Sequence, residues 1–186
     1  LSAGAATVRA RTGKDAFSQF SANMPFDRQM TFRLGNALFT RSWVPAPSST
    51  RASDGLGPMF NARGCQECHL LDGRGHPPEG AQDGRVSMFL RLSVPAQVTD
   101  LAGTGAEDIA EWLATAPEPH YGGQLQDLSV PGLPPEGRME VTYAPLPVRL
   151  ADGTEVTLRA PTYAVSTLSG PPLAPETMLS PRIAPQ

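Results

Sequence analysis

The segment that decides the fold is residues 58–72, PMFNARGCQECHLLD, which contains the C-x-x-C-H motif CQECH at 65–69. The thiols of Cys65 and Cys68 stand three residues apart, about one turn of helix, and the imidazole of His69 follows directly. Thiols at this spacing can add across the two vinyl groups of one haem, which places the imidazole beneath the iron as the proximal ligand. The motif therefore predicts one covalent c-type haem per chain, with its iron bound by His69.

Two other kinds of site use the same residue types. A redox-active C-x-x-C pair of the thioredoxin kind is expected within a βαβ unit, whereas the segments before Cys65 are typical of helix and loop. A structural zinc site needs two further Cys or His ligands, and only His76 and His120 remain in the sequence. A covalent haem therefore accounts best for the motif.

The composition of the chain favours many turns around a modest core. Its 186 residues include 20 prolines and 18 glycines, about a fifth of the chain, against roughly 12% in average usage. This content excludes a long coiled coil, a collagen-like repeat and a large idealised helical bundle. No stretch of 18 apolar residues occurs in the sequence, so no transmembrane helix is expected.

The charge pattern gives no sign of a nucleic-acid partner. Fifteen basic and 18 acidic residues give a net charge of −3, and the basic residues form no clustered stripe. The sequence begins at Leu1 with no basic or apolar leader segment. Because c-type haem is attached outside the cytoplasmic membrane, we expect a periplasmic or otherwise exported bacterial protein whose leader has been removed.

Hydrophobic periodicity predicts three helical segments. The first covers 27–43, with Asp27 as its N-cap, and its apolar stripe is expected to face the core. That stripe consists of Met30, Leu34, Ala37, Leu38 and Trp43. A short helix is predicted over 58–72, and another over 104–115 with Thr104 as cap and Ile109, Trp112 and Leu113 inward.

Strand patterns lie further along the chain. Residues 85–92 alternate, with Val86, Met88, Leu90 and Leu92 on one face. The 138–166 segment predicts a hairpin around the pair Asp152-Gly153.

Together these elements predict a mixed, mainly α fold in a single domain over 1–186. This cytochrome c-like haem core of three or four helices is decorated with β hairpins and long Pro/Gly-rich loops. Its expected parts are an irregular arm at 1–26, a haem-binding core at 27–125, the β-hairpin region at 138–166 and an extended tail at 170–186.

The second axial position of the iron is left open by the sequence. His120 lies on a loop far along the chain, whereas His76 follows the motif too closely to reach the far face readily. Met59 and Met139 are possible thioether ligands, while Met30 and Met88 lie in apolar stripes. An open or water-bound position is the further alternative, and it would favour catalysis over electron transfer.

Several longer motifs together resemble a known family. They include WVPAPSSTRASDGLGPMFNARGCQECH at 43–69, YGGQLQD at 121–127 and LRAPTYAVSTL at 158–168. These stretches resemble the bacterial di-haem oxidoreductase family, whose members are labelled thiol oxidoreductases and are similar to di-haem cytochrome c peroxidases and MauG. The resemblance covers nearly the whole chain.

The resemblance implies a haem oxidoreductase of the di-haem peroxidase type. Members of the family have two haem domains, whereas this sequence has one C-x-x-C-H motif. We therefore expect the chain to supply the N-terminal, first-haem portion, whose tail leads to a missing second domain. A second haem domain or partner chain and a redox partner protein are expected.

The resemblance also suggests residues that act on peroxide. Gln124 is similar to a distal-pocket glutamine of the peroxidases, and its alternative role is to satisfy loop backbone groups. Glu136 would shuttle a proton as a general acid and base, or is a surface carboxylate. Tyr121 would bind the iron or donate to a bound oxygen, or packs between glycine-rich turns.

Further residues are candidates for contact with the haem. Phe60 and Asn61 precede the motif and are expected to pack on the macrocycle edge and hold the loop. Arg63, Arg74 and Arg91 are candidates for pairing with haem propionates, because a guanidinium fork matches a carboxylate. Two further hypotheses remain beside peroxidase-type chemistry: an electron-transfer cytochrome, and a non-catalytic module whose hairpin docks a partner.

Overall fold

A computed structural model describes residues 4–8, 10–80, 83–84, 87–96 and 115–185. Of these residues 15% are helical and 33% belong to strands or bridges. The helices are α1 (Phe26–Phe39) and α2 (Cys65–Cys68), with 3-10 turns at Gly4–Ala6 and Leu70–Asp72. The strands are β1 (Val44–Pro45), β2 (Asp54–Leu56), β3 (Met59–Phe60), β4 (Met88–Pro95), β5 (Thr115–Ala116), β6 (Leu128–Ser129), β7 (Arg138–Arg149), β8 (Glu155–Ser166) and β9 (Met178–Ile183).

The central sheet has the strand order β5-β4-β9 and is antiparallel. Along β4 the side chains of Met88, Leu90 and Leu92 are at most 2% exposed. This confirms the predicted inward face of that strand, except for Val86, which lies outside the described residues. Because side chains alternate along a strand, Phe89 and Arg91 point to the opposite face of the sheet.

The core lies between this sheet and the base of a long hairpin. Leu90 and Leu92 cluster with Tyr121 and Leu125. Apolar side chains from the hairpin base and the chain that follows it pack against this cluster, namely Met139, Tyr163, Val165, Leu168, Leu173 and Leu179.

The hairpin predicted over 138–166 is confirmed. β7 and β8 pair from Arg138↔Ser166 to Arg149↔Glu155. In the connecting turn Gly153 has a φ of 87°, a left-handed conformation that favours glycine, and the carboxylate of Asp152 accepts a hydrogen bond from the Thr154 N–H at 2.9 Å.

The expectation of a mainly α haem core is wrong, and α1 shows one reason. The helix ends at Phe39, well before 43, and Pro25 rather than Asp27 occupies its N-cap. None of its residues is buried, and Met30 and Leu34 of the predicted core stripe are 70% and 64% exposed.

The rotation of α1 is set by tertiary contacts. Asn36 donates a hydrogen bond to Asp72 at 3.0 Å, and Phe32 packs edge-on against Phe20 with ring centroids 5.9 Å apart. These anchors lie on the side of the helix opposite the apolar stripe, so amphipathicity alone indicates the wrong inner face.

The remaining helical predictions also fail or fall outside the described residues. The helix predicted over 58–72 is reduced to the single turn α2 and the 3-10 turn Leu70–Asp72, while Met59–Phe60 form a strand paired with β6. The predicted helix over 104–115, with Thr104, Ile109, Trp112 and Leu113, lies outside the described residues except for Thr115, which begins β5.

The tail at 170–186 supplies a strand. Within it, β9 pairs with β4 over six residues, from Met88↔Ile183 to Ser93↔Met178. Local periodicity cannot reveal such a pairing because the two segments are far apart in the chain. Among the described helices, none is long and apolar enough to cross a membrane.

Candidate functional site

The C-x-x-C-H segment forms one wall of a cavity of about 1050 Å³. This volume matches or slightly exceeds the roughly 300–1,000 Å³ of typical cofactor pockets. The described residues around it are mainly apolar, with three arginines. They are Phe39, Trp43, Leu56, Ala62, Arg63, Gly64, Cys65, Cys68, His69, Phe89, Arg91, Arg182, Ile183, Ala184 and Pro185. The cavity therefore brings both thiols and the imidazole to one apolar surface.

The motif is held in place by the chain that follows α1. The Trp43 N–H donates to the Arg63 carbonyl at 2.6 Å, and a Cβ added at Gly64 would lie 2.5 Å from the Arg41 carbonyl oxygen. The Glu67 carboxylate accepts a hydrogen bond from the Arg63 N–H at 2.8 Å and so satisfies a backbone donor just before α2. The two segments are thus packed backbone against backbone.

A backbone hydrogen bond holds His69 in place, and its ring lies against the end of α1. The His69 N–H donates to the Cys65 carbonyl at 2.9 Å. The Phe39 ring lies beside the His69 ring, with centroids 5.6 Å apart and planes inclined by 57°. The end of α1 therefore contributes to the wall that carries the candidate proximal ligand.

The two cysteines differ in environment. Cys65 is exposed and Cys68 is half-buried, and no disulfide joins them. Burial raises the pKa of the Cys68 thiol, and the negative charges of Glu67 and Asp127 raise it further. Redox-active C-x-x-C motifs show the opposite shift, because they stabilise a thiolate.

Asn61 joins the segment before the motif to the 124–127 loop. Its amide donates to the Leu125 carbonyl at 2.7 Å and to the Asp127 carboxylate at 2.8 Å, and its oxygen accepts from the Gln124 amide at 2.5 Å. Burial raises the pKa of Asp127, while the hydrogen bond from Asn61 acts in the opposite direction. Through these three bonds Asn61 ties the 124–127 loop to the segment before the motif.

Replacing Asn61 with alanine is expected to lower the free energy of unfolding by about 1–2 kcal/mol, because half-buried partners lose their hydrogen bonds. The pKa of Asp127 should rise further, since the variant keeps the burial and loses the opposing hydrogen bond. Urea unfolding and a carboxyl-resolved NMR titration measure the two effects. Gln124→Ala is the matched control and should lower the free energy of unfolding less, because Asn61 keeps both of its donated hydrogen bonds. Equal losses in the two variants would contradict the central role of Asn61.

The structure places the three candidate peroxide-handling residues in hydrogen bonds within the chain. The Tyr121 hydroxyl donates to the Pro171 carbonyl at 2.6 Å from within the core. The Glu136 carboxylate accepts a hydrogen bond from the Gln126 N–H at 2.7 Å. Neither of them nor Gln124 is among the described residues that line the cavity. Their catalytic roles stay predictions.

The candidate second ligands also lie elsewhere. Met139 packs on the core and lines a second cavity of about 430 Å³. His120 is exposed beside Glu118, with Nδ1 3.4 Å from a carboxylate oxygen. Axial ligation by either residue stays a prediction.

Only some of the residues predicted to contact the haem lie among the described residues that line the cavity. Arg63 and Arg91 line the cavity, whereas Arg74 and Phe60 are not among its described lining residues. Phe60 lies in β3, opposite Leu128 of β6.

Two residues that matter here escaped the sequence analysis. Arg182 lines the cavity from β9, a strand without a recognisable pattern. Glu118 is a buried carboxylate that accepts backbone hydrogen bonds from His120, Tyr121 and Ala174. Its setting between two prolines suggests only a loop, so no sequence signal points to its burial.

Comparison with protein families agrees with this geometry. A family model described as "Di-haem oxidoreductase, putative peroxidase" matches residues 1–173. The chain belongs to the di-haem oxidoreductase family. The resemblance inferred from the motifs is thereby confirmed. A search of curated proteins found no match, and a search of solved structures found none either.

The cavity of this di-haem oxidoreductase family member fits the haem that the family implies. Both thiols and the imidazole reach one surface, the other walls are mostly apolar, and arginines are available for the acidic substituents of a macrocycle. Among the described residues no three Cys, His, Asp or Glu side chains cluster as a metal site of their own. This agrees with haem, since the porphyrin supplies four of the iron ligands and the chain needs to add only one or two.

Proposed function

We propose that this chain is the first haem domain of an exported di-haem oxidoreductase of the peroxidase type. Haem would be attached through Cys65 and Cys68, with His69 as the proximal ligand. The observation that carries the proposal is the mainly apolar cavity of about 1050 Å³ on whose wall these three side chains meet. Family membership supports the class of reaction, and the need for haem attachment outside the cytoplasmic membrane supports a periplasmic location.

The chain's own residues would hold the cofactor and exclude water from it. Cys65 and Cys68 would tether its edge, while Phe39 restrains the ring of His69. Trp43 and Phe89 supply aromatic surface around the bound group. When bound, the haem supplies a redox-active iron at which peroxide or a related oxidant reacts.

The described lining of the cavity would leave a bound iron open to an exchangeable second ligand. Among the described lining residues there is no methionine, and His69 is the one histidine. An exchangeable position suits chemistry at the iron better than electron transfer alone. A partner chain or a second haem domain would then supply or accept the electrons.

A second candidate function is an electron-transfer domain. No Asp or Glu is present among the described residues that line the cavity, so this part of the chain offers no carboxylate there to move the protons of peroxide cleavage. In that case the iron would take a second ligand, and the domain would pass electrons to a partner.

The decisive experiment is a haem count with a spin-state spectrum of the intact exported protein. We expect covalent haem at this motif and a high-spin ferric spectrum that shifts on adding cyanide or peroxide. Cys65→Ala/Cys68→Ala should abolish covalent attachment at this motif, because it replaces both cysteines of the 186 residues. His120→Ala is the control and should keep both haem content and spectrum.

Each alternative predicts a different result. A low-spin haem that does not bind added ligands would reject chemistry at this iron and support electron transfer. A His120→Ala variant with a changed axial spectrum would assign that residue as a ligand. A wild-type chain without haem would refute both functions.

A further inference from the structure

We propose that Arg91 and Arg182 form a carboxylate-binding pair in the cavity wall, which holds the two propionate groups of the haem. We refer to these two residues as the arginine pair. The inference rests on the proposed function, since it concerns the same cavity. It assigns a ligand-binding role to β9, a strand for which the sequence indicates no function.

The register of β4 and β9 places Arg91 and Arg182 on the same face of the sheet. Phe89 pairs with Arg182, and Arg91 pairs with Ser180. Directly paired residues share a face of an antiparallel sheet, and residues two apart on one strand share it too. Arg91 and Arg182 are therefore diagonal neighbours on one face, and both line the cavity.

The opposite face of the same sheet fixes this arrangement. Leu90 and Leu92 are buried in the core at 1% and 2% exposure. A shift of β4 by one residue would move these leucines into the cavity and Arg91 into the core. The strand can therefore present its arginine only to the cavity.

The backbones of Arg91 and Arg182 pair within the sheet, but neither guanidinium makes a hydrogen bond or an ion pair with any other described residue. Other arginines nearby are engaged, since Arg63 donates to the Trp43 carbonyl at 3.2 Å and Arg41 donates to the Ala52 carbonyl. Because no described carboxylate faces these two cations, this part of the wall is complementary to a ligand with two negative charges.

The loop that pairs with β4 beside Arg91 leaves room for its side chain. A Cβ added at Gly123 would lie 3.3 Å from a guanidinium nitrogen of Arg91. Glycine at this position thus lets the side chain lie close over the loop. The three arginines around the cavity are accompanied by no described carboxylate.

The chemistry of this wall matches a ligand that is apolar over most of its surface and carries two carboxylates. A guanidinium fork binds a carboxylate through two parallel N–H donors, which adds orientation to charge. Thioether bonds at Cys65 and Cys68 would fix one edge of the haem, and the arginine pair would bind its acidic groups. A free dicarboxylate shares the carboxylate chemistry but not the large apolar surface.

The test uses the intact protein with Cys65→Ser/Cys68→Ser, in which haem can be held only non-covalently. Ferric haem and its dimethyl ester, which lacks the propionate charges, are titrated and followed by the Soret band. Arg91→Gln and Arg182→Gln should each weaken haem binding about tenfold or more, and each should leave ester binding unchanged. Arg149→Gln, at the far end of β7, is the matched control and should bind both ligands as the parent does.

Further results separate the possible outcomes. Arg182→Lys should restore part of the affinity for haem, because it keeps the charge and loses the fork. Equal weakening of haem and ester binding by Arg182→Gln would overturn the proposal and indicate a structural role. A third outcome is that haem and its ester bind equally well, while succinate binds to the haem-loaded protein and needs Arg182. This would assign the arginine pair to a free dicarboxylate and would also overturn the proposal.

The proposed function has its own separate failure. If the wild-type protein carries no covalent haem, the function itself is refuted and the arginine pair loses its assigned ligand. If covalent haem is present but the ester binds as tightly as haem in the Cys65→Ser/Cys68→Ser background, only the arginine pair is refuted.

Discussion

Replacing Glu118 with alanine is expected to lower the free energy of unfolding by about 3 kcal/mol or more. The side chain is buried, and its carboxylate accepts N–H donors from His120 at 2.7 Å, Tyr121 at 2.6 Å and Ala174 at 3.2 Å. Alanine would leave these backbone groups without partners, and each unsatisfied buried donor costs about 1–3 kcal/mol. Urea unfolding at neutral pH measures the loss.

The Glu118 carboxylate should also make the free energy of unfolding fall at acidic pH. Burial by itself would raise the pKa of Glu118, but the hydrogen bonds from Tyr121, Ala174 and His120 outweigh it, so the pKa lies below its ordinary value. A lowered folded-state pKa contributes stability that is fully present above the ordinary glutamate pKa. That contribution is lost as the pH falls through the lower folded value.

Glu118→Gln separates packing from charge. The amide keeps the shape and one accepting oxygen, so it should lower the free energy of unfolding less than alanine does. Because the amide does not titrate, this variant should also lose this part of the acid dependence of stability. Glu176→Gln is the control, since Glu176 is an exposed carboxylate nearby, and its effect should stay within about 0.5 kcal/mol. Unchanged acid dependence in Glu118→Gln would contradict the assignment.

Replacing Gly64 with alanine is expected to destabilise the chain by roughly 3 kcal/mol and to lower the haem content. The added Cβ would lie 2.5 Å from the carbonyl oxygen of Arg41 and 3.3 Å from its carbonyl carbon. Both are backbone atoms, so no side-chain rotation relieves the contact. We therefore expect a loss of stability at the upper end of the range that overpacking causes. Separation of these segments would displace Cys65, the first thiol of the motif.

Gly35→Ala is the matched control for this prediction. Gly35 lies within α1, and no atom lies within 4 Å of a Cβ added there. Because alanine is a better helix former than glycine, this variant should be more stable by about 0.5–1 kcal/mol and keep its haem. Thermal unfolding and the haem-to-protein ratio distinguish the two variants. A destabilised Gly35→Ala, or a Gly64→Ala as stable as the wild type, would contradict the packing described here.

Some elements could be predicted because their signals are local. The hairpin carries a turn sequence at Asp152-Gly153 and alternating flanks, and both act within the paired segment. The inward face of β4 follows from strict alternation of Met88, Leu90 and Leu92. The motif at 65–69 predicts haem attachment from its spacing alone, and the structure places its three side chains on one cavity wall.

Other elements could not be predicted because partners distant in the sequence determine them. The stripe of α1 that contains Met30 and Leu34 is exposed, since Asn36 and Phe32 anchor the other side. The setting of Glu118 also depends on a distant partner, because Ala174, one of its backbone donors, lies 56 residues further along the chain.

The sequence by itself determined the family and the hairpin, because each depends on the order and spacing of neighbouring residues. Covalent haem attachment stays a prediction from the motif. The tertiary structure alone decided that the described fold is rich in strands, and that β9 completes the cavity with Arg182. It also decided that Gln124 binds Asn61. The physical reason is that a cavity and its charges arise where distant segments pair and pack, and the free energy of those contacts is not encoded in the periodicity of any one segment.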